Sequence, residues 1–330
     1  MANTKNPIST IRKLQLIKPP KLKSGDTIGI IAPSGPVNQE KLDASIQNLK
    51  SWGYKIKLGK HVYDRYGYFA GQDTGRAEDF NRMFADPEVN AIFCARGGNG
   101  ATRIIPALDF QNIRRNPKIF LGYSDITAFL NAIHQLTGLV TFHAPMVESG
   151  MSTDSNVFSR EMEFRLLSDP EPMGVIPFPL DYIGGPAEWS VVSEGMAEGR
   201  AIAGCISVIQ TLLGTPYEFD LKNKILFCED VDEEPHRIDR MLAHLKLTGK
   251  LKQVHAVLLG KLIRCEPKEP DKPHLTYPEI FGDLLGDLGI PVVYNLGFGH
   301  GDTNFPIPIG IKVKIDTRKK ELSYLEGAVV

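Results

Sequence analysis

The chain has 330 residues, and its 38 basic and 39 acidic side chains leave a formal charge of -1 at neutral pH. This length exceeds the roughly 250 to 300 residues at which a single hydrophobic core stops growing, so two domains are expected. The balanced charge provides no field to attract nucleic acid or an anionic membrane surface, which leaves small-molecule chemistry as the favoured class.

Residues 1–20 read as a polar tail. From Met1 to Pro19-Pro20 there is no apolar core of the kind a secretory signal needs, and no later segment approaches the ~18 apolar residues of a membrane span. Cys94, Cys205, Cys228 and Cys265 occur singly, without CxxC spacing, and read as core thiols of a reducing compartment. A cytoplasmic protein is expected.

Residues 27 to 143 alternate short apolar runs with segments of helical period, the pattern of βαβ units around a mainly parallel sheet. A strand from Thr27 to Ala32 runs into the breaker Pro33-Ser34-Gly35-Pro36. The helix that follows, capped by Asn38, carries Leu42, Ile46, Leu49 and Trp52 on one face and stops at Gly53. A second helix presents Ala77, Phe80 and Phe84. The strand Ala91 to Ala95 then enters the loop Arg96-Gly97-Gly98-Asn99-Gly100, and a short helix passes through Ile104, Ile105 and Leu108. Lys118 to Leu121 is a strand, Gly122-Tyr123-Ser124-Asp125 a turn, and residues 126 to 137 a helix stopped by Gly138. Leu139 to His143 is a further strand.

Prolines and glycines crowd residues 168–199, including Pro170, Pro172, Pro177, Pro179, Gly184, Gly185 and Pro186, and mark a linker between a domain at 21–167 and a second at 200–330. Beyond it, Lys224 to Cys228 is a strand running into Glu229-Asp230, residues 235 to 247 are a helix, and Val254 to Leu259 is a buried strand. A helix at 278 to 288 and a strand from Pro291 to Leu296 lead to Gly297-Phe298-Gly299-His300-Gly301. Short, proline-broken strands at 306 to 315 and 321 to 325 suggest that this smaller domain is β-rich, mixed α+β and barrel-like.

In open α/β sheets the ligand crevice lies beyond the carboxyl ends of the strands, where the 33–35, 96–100 and 123–125 loops all emerge. Ser124 stands on a sharp strand-to-helix turn beside the free amides of a helix start, the setting of a nucleophile, although a lone serine there also fits a simple N-cap. Its elbow lacks the second glycine of G-x-S-x-G, having Ile126 in that position. A serine nucleophile needs a base held by a carboxylate. His300, in a bare glycine loop fed by a strand, is the leading base; His143, in the same sheet as Ser124, competes, and His236, near an acidic cluster, is a third. Within Glu229-Asp230-Val231-Asp232-Glu233-Glu234, the later residues fit the acidic first turn of a helix, whereas Glu229 leaves a buried strand. The Arg96–Gly100 loop has neither G-x-G-x-x-G spacing nor a Walker lysine. The amides of Gly98 and Asp125 can instead form an oxyanion hole, with Arg96 near a substrate carboxylate.

Taken together, Gly122-Tyr123-Ser124-Asp125-Ile126-Thr127, the Arg-Gly-Gly-x-Gly loop, the stretch from Leu226 to Leu242 and Gly299-His300 resemble the LD-carboxypeptidase family of serine peptidases over about residues 22 to 325. That family includes muramoyl-tetrapeptide carboxypeptidases of peptidoglycan recycling and microcin C immunity hydrolases. The resemblance implies a Rossmann-like parallel-sheet amino-terminal domain, a β-rich carboxy-terminal domain, a homodimer, and no metal or cofactor. Carried over, it makes Ser124 the nucleophile, Glu229 the orienting acid, His300 the base, and the Gly98 and Asp125 amides the oxyanion hole. Asn99, Cys205 and His236 depart from residues frequent in the family, and bear on substrate more than on reaction type.

The expected activity is release of D-alanine from a murein tetrapeptide, with Arg96, Asn99 and Trp189 contacting substrate. Two alternatives stand beside it. One is an immunity-type hydrolase of aminoacyl or peptidyl nucleotides, for which Trp189 is the adenine-stacking aromatic unless it anchors a core. The other is a non-catalytic two-domain ligand-binding protein.

Overall fold

Ile28 to Ile31, Ala91 to Cys94 and Ile119 to Leu121 are wholly buried. Continuous apolar runs of this kind belong at the centre of a parallel sheet covered on both faces. A computed structural model describes residues 14–152, 156–178 and 189–330. Residues 1–13 of the expected tail, and Pro179, Gly184, Gly185 and Pro186 of the expected linker, lie outside the described residues.

The amino-terminal half supplies β1 (Thr27–Ile31), β2 (Lys55–Leu58), β3 (Ala91–Cys94), β4 (Ile119–Gly122) and β5 (Thr141–His143). Then come β6 (Gly174–Val175), β7 (Ser190–Ser193), β8 (Met196–Cys205), β9 (Lys224–Val231), β10 (Ala256–Ile263) and β11 (Val292–Leu296). The chain closes with β12 (Ile307–Ile309), β13 (Lys312–Asp316) and β14 (Glu321–Tyr324).

The first sheet has the order β2-β1-β3-β4-β5, all parallel, with β12 added antiparallel at the β5 edge. The order 2-1-3-4-5 is the flavodoxin-like form of the doubly wound plan, not the 3-2-1-4-5-6 order of dinucleotide-binding folds. Its switch point lies between β1 and β3, so the loops after those strands open onto a crevice. Helix Gln39–Ser51 begins as expected, with the Asn38 side chain accepting from the Lys41 amide.

The second sheet differs from the barrel-like expectation. Among the described residues it is an open mixed sheet with the order β6-β14-β13-β8-β9-β10-β11-β7, and its central strands β8 to β11 are parallel. The proline-broken tail of the chain suggested a small barrel, but the long strand β8 supplies a parallel centre. Strands β6 and β7, from within the stretch read as a linker, pair at the two edges of this sheet. Residues near the start are also tied in, since Ile17 bridges to Leu139 and Lys21 bonds the carbonyl of Val330. No helix among the described residues is long and apolar enough to cross a membrane.

The two sheets are joined where the carboxyl end of β8 meets the helix Thr127–Thr137. Asn131 donates to the Ala203 carbonyl at 3.0 Å and to the Thr127 carbonyl at 2.9 Å, while the Thr127 hydroxyl accepts from the Cys205 amide at 3.1 Å. Asn131 is fully buried. These bonds fix the helix behind Ser124 against the strand beside Glu229. Replacing Asn131 with Ala strips a buried carbonyl of its donor and is expected to cost about 1–3 kcal/mol. Urea unfolding checks this, and an unchanged midpoint would contradict it.

Candidate active site

Gly122 ends β4, and the chain then turns sharply. Ser124 sits at φ 63°, in the left-handed region that side chains with a Cβ seldom occupy. A non-glycine residue held there stores roughly 1–2 kcal/mol, which surrounding packing must offset. The short 3-10 turn Ser124–Ile126 leads into helix Thr127–Thr137, and the residue at its cap position is Tyr123, with no side-chain cap bond. Ser124 is therefore not a capping residue. Among the described residues its hydroxyl has no hydrogen-bond partner.

The three loops expected to converge do so. The Gly35 amide donates to the Gly97 carbonyl at 3.0 Å. A Cβ at Gly97 would lie 2.7 Å from Ser124 Cβ and 2.8 Å from its Oγ, so only glycine lets the strand β3 loop pass beside the serine. The buried carboxylate of Asp125 binds the other two loops by accepting from the Ser34 hydroxyl and, at 2.8 Å, from the Ala101 amide. Burial raises the Asp125 carboxyl above its ordinary range, against the pull of those two donors. Gly98 and Asn99 are exposed at the tip of the loop, and Arg96 spends one bond on the Pro36 carbonyl at 3.1 Å.

Glu229 lies on β9 with its carboxylate fully buried, two residues before the strand ends. Its Oε2 is 2.6 Å from Nδ1 of His300, and its Oε1 accepts from the Cys205 thiol at 2.9 Å. Gly299, at φ 99°, makes this possible, because a Cβ there would come within 2.5 Å of Glu229 Oε2. The Asn304 side chain accepts from the Gly299 amide at 2.9 Å, and the Asn304 amide donates to Ser159 at 2.9 Å, bracing the loop on helix Val157–Ser168. The His300 ring packs edge-on against Tyr123, with centroids 4.8 Å apart, and so stands beside the residue that precedes Ser124. Burial alone would raise the Glu229 carboxyl, but the imidazoles of His143 and His300 prevail and hold it well below the usual carboxylate range.

The competing histidines separate cleanly. His143 is fully buried, with Nε2 3.7 Å from Glu229 Oε1, within ion-pair reach but beyond hydrogen-bond length, and among the described residues neither ring nitrogen has a hydrogen-bond partner. His236 is exposed on the 235–247 helix, in a groove with Glu234, Asp239 and His274. Trp189, read as either a substrate-stacking aromatic or a core anchor, takes the buried place of an anchor. It is 5 % exposed and packs edge-to-face on Phe178, because a large apolar ring at the sheet edge gains more from burial than from solvent. All four cysteines are free and buried, as core thiols should be.

Several residues at the site carried no sequence signal strong enough to single them out. Helix Val157–Ser168 contributes Ser159 and Arg160 to a cleft also lined by Tyr123, Ser149, Asp302 and Asn304. Its mixed apolar pattern conceals it. The role of Cys205 follows from register, since it pairs with Glu229 across β8 and β9.

The sequence profile of the LD-carboxypeptidase N-terminal domain matches residues 28–144, and that of the LD-carboxypeptidase C-terminal domain matches residues 198–315. The chain belongs to the LD-carboxypeptidase family. Within this family it is 39 % identical to a probable murein peptide carboxypeptidase of Bacillus subtilis, over 94 % of this chain and 97 % of that protein. It is 30 % identical to the murein tetrapeptide carboxypeptidase of Pseudomonas aeruginosa, over 86 % and 91 % respectively. Its structure matches that of the microcin C7 self-immunity protein MccF in complex with aspartyl sulfamoyl adenosine with a TM-score of 0.84 at 26 % identity, covering 95 % of this chain and 100 % of that one. The LD-carboxypeptidase fold thus spans both sheets, and the chain is a hydrolase of the peptidase type.

Because the Glu229 carboxyl is held below its ordinary value of 4.5, the stabilisation from its ionised form is complete above that pH and is lost as the pH falls through and below it. Between about pH 5.5 and 3.5, the melting temperature of the native chain should fall more steeply than that of a Glu229→Gln variant. Parallel curves would contradict the assignment.

Proposed function

We propose that the chain is a serine LD-carboxypeptidase that releases a carboxy-terminal D-residue, most directly D-alanine, from murein tetrapeptide. The observation that carries the reading is the bond from His300 to the buried Glu229 carboxylate, on a ring packed against the neighbour of a conformationally strained Ser124. Glu229 accepts from Nδ1 of His300 and so leaves Nε2 unprotonated to act as the base. As substrate binds, that nitrogen takes the Ser124 proton and Oγ attacks the carbonyl of the bond to the D-residue. Hydrogen bonds of this kind are often long or absent without substrate and tighten in the bound complex.

In this reading the negative charge developing on the carbonyl oxygen is held by the amides of Gly98 and Asp125. His300 then passes its proton to the leaving amine, which departs as the free D-amino acid. Water, deprotonated in turn by His300, releases the acyl group from Ser124. The leaving carboxylate of the D-residue would meet Arg96 and Asn99. The reading also carries a cytoplasmic, homodimeric enzyme with Ser124 on the first domain and Glu229 and His300 on the second, the domains spanning 21–167 and 200–330.

The murein substrate is favoured over an aminoacyl nucleotide by the names of the relatives at 30 % identity or more and by the burial of Trp189, which removes the expected stacking surface for adenine. Assayed side by side, murein tetrapeptide is expected to be cleaved far faster than an aminoacyl sulfamoyl adenosine, and the reverse preference would overturn the substrate assignment. Ser124→Ala should lower kcat/KM by at least ~10^4-fold with an unchanged unfolding midpoint. Full activity in that variant would sink the nucleophile.

A further inference from the structure

Cys205, Glu229 and His300 bring three different donor types to one point. Their ligand atoms all lie within 4.8 Å of one another. The parallel register of β8 and β9 sets Cys205 beside Glu229, and the glycine-flanked loop lowers His300 onto the other carboxylate oxygen. We propose that these three side chains form a binding site for one zinc-class divalent cation, and that its occupancy switches hydrolysis off.

The donor chemistry selects the class. Sulfur, imidazole nitrogen and a single carboxylate suit zinc and its neighbours, whereas magnesium and calcium seek oxygen alone. Charge points the same way. Once the Cys205 proton has left, its thiolate and the Glu229 carboxylate supply two negative charges in a place where Glu229 is fully buried and Cys205 nearly so, and the bound dication neutralises both. A second, independent feature faces the same carboxylate: the buried His143 ring, 3.7 Å from Glu229 Oε1, has no hydrogen-bond partner on either nitrogen among the described residues and is available as a further ligand.

The contacts of 2.9 Å and 2.6 Å at Glu229 are hydrogen-bond lengths. Tetrahedral zinc, with bonds of about 2.0 to 2.3 Å, would part each pair by roughly 0.6 Å. His300 can make that shift, because its side chain is 15 % exposed at the cleft and sits between Gly299 and Gly301.

Binding has a definite proton balance. The thiol proton of Cys205 leaves to solvent as sulfur becomes the ligand. The proton between His300 Nδ1 and Glu229 moves to Nε2 as Nδ1 takes the metal, so the imidazole stays neutral. Nε2 then has no lone pair for the Ser124 proton, and hydrolysis stops. This inhibitory step rests on the proposed roles of Ser124 and His300, whereas cation binding does not.

Cobalt(II) added to the metal-stripped full-length protein tests binding directly. One equivalent should produce a near-ultraviolet thiolate-to-cobalt absorption band that zinc displaces. Cys205→Ser should abolish the band and weaken zinc binding by roughly 10- to 100-fold or more, while Cys94→Ser, on β3, should leave both unchanged. X-ray absorption of the zinc-loaded native chain provides a readout without mutation, and is expected to show one sulfur among nitrogen and oxygen neighbours. Absence of the band in native protein, a band that survives Cys205→Ser, or a zinc shell without sulfur would each overturn the site. A one-sulfur zinc site that leaves peptide hydrolysis undiminished would keep the binding site and overturn the switch. Failure of the cobalt band with a fully inactive Ser124→Ala enzyme would instead remove the metal site and leave the peptidase reading intact.

Discussion

The arrangement depends on one buried carboxylate. Glu229 has no exposed surface, and a charge in that position persists only if polar partners replace the water it has lost. His300 and Cys205 are those partners, one on each oxygen. Much of the surrounding backbone follows from this requirement. Gly299 has no Cβ because a Cβ would strike Oε2, and a Cβ at Gly260 on the neighbouring strand would lie 3.0 Å from Glu229 Cβ and closer still to the Phe298 carbonyl. A carboxylate held so firmly fixes both the tautomer and the orientation of the imidazole it meets.

The Ser124 side is built by a different device. Ser124 is held in a strained backbone conformation by loops that lock into one another through backbone bonds and through the side chain of Asp125. The strain is stabilised collectively, since the Ser34, Gly97 and Ala101 contacts come from the ends of β1 and β3. The bonds from Asn131 and Thr127 to the end of β8 then set this half against the half that holds Glu229. Each side of the site is thus rigid in its own sheet, and the angle between sheets is set behind the serine.

Much of this was legible in the sequence because buried parallel strands write themselves as apolar runs: β1, β3, β4, β9 and β11 stand out, and the loops that leave them point to Ser124, Glu229 and His300. Three features were not legible, for separate physical reasons. β2 is a short edge strand with lysine at alternate positions, and β8 is written largely in small residues with weak strand preference, so neither gives a strong pattern. The barrel expectation failed because strand order depends on pairing across long sequence separations. Trp189 could be read as exposed or as buried from composition alone, and only its contact with Phe178 decides. The missing second glycine of the elbow also finds its explanation, since Ile126 packs against Gly122 and Ser124 itself takes the left-handed conformation.

In the proposed mechanism Ser124 forms a covalent bond to substrate while Glu229 and His300 manage the protons. The most direct measurement is rapid acid quenching of the enzyme during turnover of murein tetrapeptide, followed by mass spectrometry of its proteolytic fragments. The predicted result is a transient mass increase equal to the acyl tripeptide on the fragment carrying Ser124. An enzyme that turns over the peptide with no adduct at any time, or with the adduct on a different residue, would contradict it.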